Sequence, residues 1–320
     1  MTSSTPPDKP QGSQALAVAC LLGAIVCWGA PPVMLRHFAV SNLIPDGYTT
    51  NLVRYPVSTV LYCPLVFWAI RRGGLGKFWL RALVPAAVNI VGQTLFAWTA
   101  YFAEAGMTGF LVRISIVWSV VGAFWLFPDE RPLARSKQFW AGAGLAVVGF
   151  TVMSAVGLAR HEMTTLGVIV VLLCGMLWGM YDVSVRHAMG SLHPLVVFGV
   201  IGNYSSLGLI LMSPLGQPAS VLKLSAGETA LLIASALIGI AAAHGMYYMA
   251  LQRLGVVVSA LTCLMTPFIS LLGGRIFLGE RFSPAQWLGG IILLTGALLA
   301  MLSRQRMLHR RAEPIEVNPD

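Results

Sequence analysis

Charged side chains are scarce in this chain. Only 10% of its 320 residues are Asp, Glu, Lys or Arg, whereas 57% are hydrophobic. A soluble domain carries about 25% charged residues, so this composition excludes a soluble globular fold. Apolar runs of about twenty residues recur along the sequence, and one such run crosses a hydrocarbon core of roughly 30 Å as a helix. The composition predicts an all-α membrane protein with many spans.

Motifs of catalysis and metal binding are also missing. The sequence contains no HExxH pair, no nucleophile elbow and no phosphate-binding loop. Tyr181-Asp182 resembles half of an intramembrane aspartyl protease site, but no GxGD motif supplies the second carboxylate that must share the proton. The five cysteines lie inside apolar runs without ligand or disulfide spacing. We therefore expect no enzyme, no metal and no cofactor, with an intramembrane enzyme as the weaker alternative.

The net charge of +9 does not indicate a nucleic-acid partner, because the basic residues lie in short loops and the tail. With the N-terminus inside, fourteen of the 21 Lys and Arg residues fall on the cytoplasmic side and five on the outer side. This asymmetry predicts a cytoplasmic (inner) membrane protein with both termini cytoplasmic, anchored against anionic headgroups of the bilayer. The ten predicted spans are 15–36, 48–70, 79–103, 105–127, 138–158, 165–187, 194–213, 229–251, 255–277 and 284–303.

Half of the chain repeats the other half. The stretch WGAPPVMLRH returns as WGMYDVSVRH 150 residues later, and Glu130-Arg131 returns as Glu280-Arg281 at the same offset. After a three-residue slip the offset is 147, with these matched pairs: Trp140/Trp287, Gly142/Gly289 and Gly149/Gly296. Repetition at this scale is typical of transporters.

The repeat divides the chain into four parts. A polar tail at 1–14, expected to be disordered, precedes a first repeat at 15–158; a second repeat at 165–303 precedes a basic cytoplasmic tail at 304–320. Each repeat has five predicted spans, an odd number, so the second must enter the membrane from the opposite face. Inverted repeats of this kind build two alternating gates around one central site.

The chain resembles a ten-span, EamA-type member of the drug/metabolite transporter superfamily. The matching residues are Trp-Gly in spans one and six, LVRYPVSTVLY in span two, and the close of the second repeat, SALTCLMTPFISLLGGRIFLGERFSPAQWLGG. The first-repeat equivalent, FLVRISIVWSVVGAFWLFPDER, lacks the proline at Pro267 and carries Arg113 instead. The resemblance implies a secondary transporter of small organic solutes and, as a family expectation, export.

Two arginines within spans are the leading candidates for substrate binding. A charge in a span costs several kcal/mol unless it is paired, hydrated or snorkelling. Helical rise places Arg54 roughly 9 Å and Arg113 roughly 12 Å below the outer face, so both can reach one ligand. Guanidinium groups bind carboxylates through paired hydrogen bonds, which favours amino acids or organic acids. The alternative is that each arginine snorkels outward or caps exposed carbonyls; for Arg54 this is at least as strong, because an arginine there is usual in the family.

Two tryptophans near mid-depth and several polar or aromatic residues within the spans are expected to line a cavity that suits an organic solute. These are Trp28, Trp178, Tyr181, Gln93, Thr94, Asn89 and Asn203. For the tryptophans the alternative is simple packing, since Trp-Gly also marks close helix contact. Deeper in the membrane, Asp182 and His244 are weak candidates for proton coupling, and a structural hydrogen bond is the ordinary role of a lone buried histidine.

Two further features are expected to be mechanical. Pro31-Pro32 interrupts span one and is predicted to act as a hinge. The two Glu-Arg pairs are predicted to cap or tether the final helix of each repeat. A flippase for lipid-linked solutes remains the alternative within the same fold.

Overall fold

The computed structural model describes residues 11–189, 192–254 and 264–312. The chain is helical along almost all of these ranges. The α-helices are α1 Gln11–Val40, α2 Gly47–Val60, α3 Cys63–Arg71, α4 Phe78–Arg81, α5 Leu83–Phe102, α6 Ala105–Leu111, α7 Ser115–Leu126, α8 Lys137–Ala159, α9 Thr165–Met189, α10 Pro194–Met212, α11 Ala226–Ala236, α12 Ala243–Leu254, α13 Thr266–Gly273 and α14 Pro284–Ala312.

The helices form a multi-pass membrane protein. Within the described residues, eight segments are long and apolar enough to cross a bilayer, and the pair α2–α3, bent by 46°, makes a ninth if it is one span. The ten predicted spans are therefore not all confirmed. The predicted ninth span, 255–277, is present as the shorter apolar helix Thr266–Leu278, while residues 255–263 lie outside the described ranges.

Helix ends differ from the predicted boundaries at both termini. Helix α1 begins at Gln11, inside the predicted tail, and α14 continues to Ala312, beyond the predicted end of span ten at residue 303. The rest of the predicted N-terminal tail lies outside the described ranges. Helix α1 also runs unbroken through Pro31 and Pro32. The prediction that this pair interrupts the helix is wrong, because a helix can continue past the few backbone bonds that two prolines remove.

Helices α8 and α14 pack directly against each other through glycine. A Cβ atom built on Gly142 would lie 2.8 Å from the carbonyl oxygen of Gly296, and one on Gly149 would lie 2.5 Å from that of Gly289. Small residues allow this close backbone approach. Residue numbers rise along α8 while those of their contacts fall along α14, so the two helices run antiparallel.

The remaining contacts join the two halves of the chain around a centre. Helix α1 packs on α12 and α13, α9 packs on α5 and α7, and α2 packs on α10. Gly29 of α1 lies against Ile269, and Gly179 of α9 lies against Ser119. These five pairs of helices surround an interior cavity.

Candidate functional site: the central cavity

The central cavity has a volume of about 250 Å³. Eleven of the thirteen predicted site residues line it: Trp28, Pro31, Pro32, Arg54, Asn89, Gln93, Arg113, Trp178, Tyr181, Asp182 and His244. The first and the last of them, Trp28 and His244, are more than 200 residues apart in sequence. Only the fold brings such distant residues together. The lining mixes aromatic faces with a few polar groups, as ligand sites do.

Arg54 is held almost completely inside the protein, with 1% of its surface exposed. Its helix, α2, is capped by Asp46, whose carboxylate accepts hydrogen bonds from the amides of Tyr48 and Thr49 and fixes the start of the helix. The Nη1 group of Arg54 donates to Oδ1 of Asn51 at 3.3 Å. Its Nε is buried with no hydrogen-bond partner in the part of the chain that the structure describes. A buried guanidinium with spare donors, facing a cavity, is suited to an anionic ligand.

Arg113 lies where its span changes geometry. Helix α6 ends at Leu111, a 3₁₀ turn occupies Val112–Ile114, and α7 begins at Ser115. A 3₁₀ turn within a helix often marks a functional hinge, because its hydrogen bonds are poorer than those of an α-helix. The cavity therefore meets this span at its least regular point.

A π-helical turn also borders the cavity. It spans Leu237–Ala242 between α11 and α12, and its Gly239 and Ile240 line the cavity. Gly239 lies directly against the ring of Pro31. Such π turns occur frequently at functional sites. The proline pair thus contacts the irregular part of a neighbouring helix, and its role as a hinge remains a prediction.

Aromatic rings form two walls of the cavity. His244 stacks on Phe198 with ring centroids 4.3 Å apart and meets Trp28 edge-on at 5.4 Å. Trp178 packs on Phe96 at 4.8 Å. Its indole Nε1 is buried without a hydrogen-bond partner among the described residues. The wall around Trp178 therefore offers a ligand both an apolar face and a donor.

A polar network that sequence reasoning missed supports the same wall. The amide Nδ2 of Asn89 donates to the hydroxyl of Tyr55 at 3.0 Å and to Oγ of Ser205 at 2.9 Å. Tyr55 lines the cavity beside Arg54. The only sequence signal for Tyr55 was its position next to Arg54. Consecutive side chains on a helix point about 100° apart, so this neighbourhood did not predict that Tyr55 lines the cavity. Ser270, also missed, lines the cavity and donates to the carbonyl of Gly29 at 2.9 Å.

The two candidates for proton coupling lie in this cavity. Nδ1 of His244 is 2.7 Å from the carbonyl oxygen of Ile240. Because a carbonyl only accepts, the proton of the ring is on Nδ1 in this contact. Asp182 lines the cavity from α9 and is solvent-exposed. Their part in coupling remains a prediction.

Two predicted residues lie outside the cavity. Thr94 is buried and its hydroxyl donates to the carbonyl of Ile90 at 2.8 Å, within its own helix. Asn203 donates to the carbonyl of Gly199 at 2.7 Å. Together with Cys63 it lines a groove on the exterior of the helix bundle. This corrects the expectation that both residues line the cavity, because a position within a span does not fix which side of the helix faces the ligand.

A cluster of carboxylates lies at one end of the bundle. Glu280 accepts hydrogen bonds from the amides of Ala105 at 2.7 Å and Gly106 at 3.0 Å, at the start of α6. Glu280 does not cap the final helix of its repeat, because Ser283 and Gln286 do so; the tethering role remains a prediction. The side chain of Glu130, its repeat partner, is outside the described set.

Glu104 is the most perturbed carboxyl group of this cluster. Its pKa is raised to about 7, first by burial and then by the nearby charges of Glu280 and Glu162, against the opposing effect of Arg36 and Arg160. Its Oε2 is buried without a hydrogen-bond partner among the residues described. The pKa of Glu280 is also raised, first by burial.

Metal ligation finds no support in residues 11–189, 192–254 and 264–312, where no group of three or more His, Cys, Asp or Glu side chains converges.

Comparison with solved structures shows that other chains share this fold. Seventeen solved chains match. One crystal structure superposes with a TM-score of 0.56 at 16% sequence identity, covering 92% of this chain and 99% of that one. At this identity the likeness shows the fold alone. A search of curated proteins found no match.

The bundle and its enclosed cavity define the class of a multi-pass helical membrane protein. Residues 165–302 match the family model of the EamA-like transporter family. The second half of the chain is thus similar to EamA-like transporters, and the resemblance to this family found in the sequence is confirmed, whereas the number of ten spans is not. The family consists of transporters rather than enzymes, which indicates a membrane transporter of small solutes.

Proposed function

We propose that this protein is a secondary transporter of small carboxylate-bearing metabolites, amino acids foremost, which exports them across the cytoplasmic membrane by alternating access. The observation that carries the proposal is a single cavity of about 250 Å³ lined by both intramembrane arginines and by aromatic walls. At roughly 30 Å³ for each water molecule in the liquid, the cavity has room for a small solute. That size favours a free metabolite over a lipid-linked one.

The arginines supply the recognition chemistry. Arg54 is buried and has unused donor capacity at Nε, while Arg113 lies on the same lining at the 3₁₀ turn. A carboxylate placed between guanidinium groups gains charge-assisted hydrogen bonds that a neutral solute lacks. Trp178 adds a buried indole donor beside the apolar face that would contact the rest of the solute.

Contacts between the halves support inverted repeats. The sequence pairs Gly142 with Gly289 and Gly149 with Gly296. Gly142 contacts Gly296, and Gly149 contacts Gly289. If each residue of the first contact is replaced by its counterpart in the other repeat, the second contact results, as a two-fold relation requires. Because the two helices are antiparallel, a two-fold axis that exchanges them is perpendicular to both, and so lies in the membrane plane. This relation is the one used by transporters that alternate between two gates.

The binding step is tested with purified protein and a panel of amino acids, organic acids and their amides. Wild-type protein should bind carboxylates and not the matching amides. Arg113→Gln and Arg54→Gln should each weaken carboxylate binding by roughly 10-fold or more, the cost of one charge-assisted hydrogen bond. The control is Arg275→Gln, which removes an exposed charge away from the cavity. Unchanged affinity in both cavity variants would refute carboxylate recognition.

The variant Asp182→Asn then answers two questions. It tests whether the site distinguishes amino acids from other organic acids, and whether Asp182 acts in substrate binding or in proton coupling. If Asp182 pairs with the ammonium group of an amino acid, the variant loses affinity for amino acids and keeps it for organic acids. If it carries a proton, affinity is retained but a pH gradient no longer drives uptake into proteoliposomes. An unchanged affinity together with an unchanged response to the gradient removes Asp182 from both roles.

A further inference from the structure

An apolar groove lies on the exterior of the helix bundle, between α3, α4 and α10. Its volume is about 260 Å³. The residues that line it are Cys63, Val66, Phe67, Ile70, Trp79, Val200 and Asn203. Asn203 is the one polar amide among them, and its Nδ2 is engaged by the carbonyl of Gly199. The groove faces the side of the bundle that meets lipid and is separate from the central cavity.

The groove follows from the bend between α2 and α3. At the bend, the chain is held close to α10, because a Cβ atom on Gly199 would lie 3.2 Å from Cβ of Tyr62. Beyond it, α3 turns by 46° relative to α2. Phe67 and Ile70 are left 54% and 41% exposed. The bend thus opens a cleft whose floor, at Val66 and Val200, remains buried.

Positive charge borders one end of this groove. The guanidinium of Arg71 lies 4.3 Å from the ring centroid of Phe67, a wall residue, and that of Arg72 lies 4.8 Å from Trp68. Lys77 and Arg81 follow within ten residues, and all four basic side chains are exposed. The sequence has no Asp or Glu between Asp46 and Glu104, so nothing on these helices offsets the charge.

We propose that the groove is a binding site for one anionic phospholipid of the surrounding leaflet. An acyl chain fills the apolar cleft, and the phosphate group is held by Arg71 and Arg72. An apolar groove with a cationic end matches the two ends of such a lipid, and basic pockets beside transmembrane helices bind anionic headgroups. Phe67 and Trp79 provide the aromatic contacts that are enriched at the membrane interface.

The test is native mass spectrometry of the full-length protein in detergent with added phosphatidylglycerol or phosphatidylcholine. Wild-type protein should retain one phosphatidylglycerol molecule in preference to phosphatidylcholine. Arg71→Gln/Arg72→Gln should lower that preference on the order of 10-fold, because each basic residue near a lipid surface contributes about 1 kcal/mol. Arg131→Gln/Arg135→Gln makes the same charge change in another exposed loop and should leave retention unchanged.

A second variant tests the acyl-chain end. Cys63→Trp places a large side chain in the groove at an exposed position and should reduce retention without altering the charge. Equal retention of the two lipids by wild-type protein, or equal loss in the Arg71/Arg72 and Arg131/Arg135 variants, would show only a non-selective lipid annulus and overturn the proposal. The wild-type comparison requires no variant to fold.

Discussion

Single side chains in the cavity differ in whether their polar atoms are already engaged. Asn89 uses its amide on Tyr55 and Ser205. By contrast, the indole Nε1 of Trp178 and the Nε of Arg54 are buried without partners among the described residues. A buried donor left unpaired costs free energy, on the order of 1–3 kcal/mol. A ligand that accepts from these donors recovers that cost, which is a physical reason for binding there.

Trp178→Phe isolates the contribution of the indole donor. The ring and its contact with Phe96 are largely kept, while the N–H group is lost. We expect substrate affinity to fall by roughly 2- to 10-fold, the effect of one neutral hydrogen bond. Isothermal titration with the substrate found in the panel measures it. The control is Trp140→Phe, whose ring is exposed on α8 away from the cavity; equal effects in both variants would contradict a donor role for Trp178.

Glu104 predicts a pH dependence of stability. Its pKa in the folded protein, about 7, is higher than the usual value near 4.5, so the folded state binds this proton more tightly than the unfolded state. The resulting stabilisation is complete below pH 4.5 and is lost as the pH rises through 7. Wild-type protein should therefore have a lower Tm at pH 8 than at pH 5.

Glu104→Gln is the matching variant. Since glutamine stays neutral, the Tm should change less between pH 5 and pH 8 and should be a few degrees higher than wild type at pH 8. Thermal unfolding in detergent, followed by tryptophan fluorescence, measures both. If the Tm of the variant changes with pH as much as that of the wild type, another group is responsible for the pH dependence. Glu280 would then be the first candidate, because its pKa is also raised.

At the scale of elements, irregular turns and close helix contacts are concentrated where the two halves meet. The 3₁₀ turn at Val112–Ile114 and the π turn at Leu237–Ala242 both border the cavity. Helices α8 and α14, in contrast, are regular and joined backbone to backbone through glycine. The arrangement combines one regular, closely packed pair of helices with spans that are irregular where they border the site.

Gly149→Ala should destabilise the protein by about 1–3 kcal/mol, the usual cost of overpacking. The added Cβ would meet backbone atoms of Gly289 and Leu293, which cannot move aside as a flexible side chain can. Gly144→Ala on the same helix is the control, because nothing lies within 4 Å of its Cβ position. Thermal stability in detergent distinguishes them; equal Tm values would mean that the α8–α14 contact is looser than described.

At the scale of the whole molecule, the proposed inverted arrangement of the repeats makes a prediction about sidedness. Ala134 lies in the segment between α7 and α8, and Ala219 lies between α10 and α11; both are exposed. Under the proposed topology, a membrane-impermeant maleimide added to intact cells should label Ala219→Cys and not Ala134→Cys. The parent protein, with its native cysteines, gives the background. Labelling of both variants from the same side would refute the inverted repeats and the alternating gates built on them.

The amino-acid sequence by itself determined the membrane class, most span positions and the repeat, since these follow from composition and from the periodic return of residues such as Trp28 and Trp178. It also indicated Arg54 and Arg113, because a charge within an apolar run is conspicuous without any structure.

Only the tertiary structure decided which sides of the helices meet. It placed Asn89 on the cavity and Thr94, five residues along the same helix, outside it. It also directed Glu280 to the amides of Ala105 and Gly106, 174 to 175 residues away. Hydropathy determines how deep a residue lies in the membrane. The direction in which it points about the helix axis is set by packing against helices that are distant in sequence, and no local stretch of sequence predicts that packing.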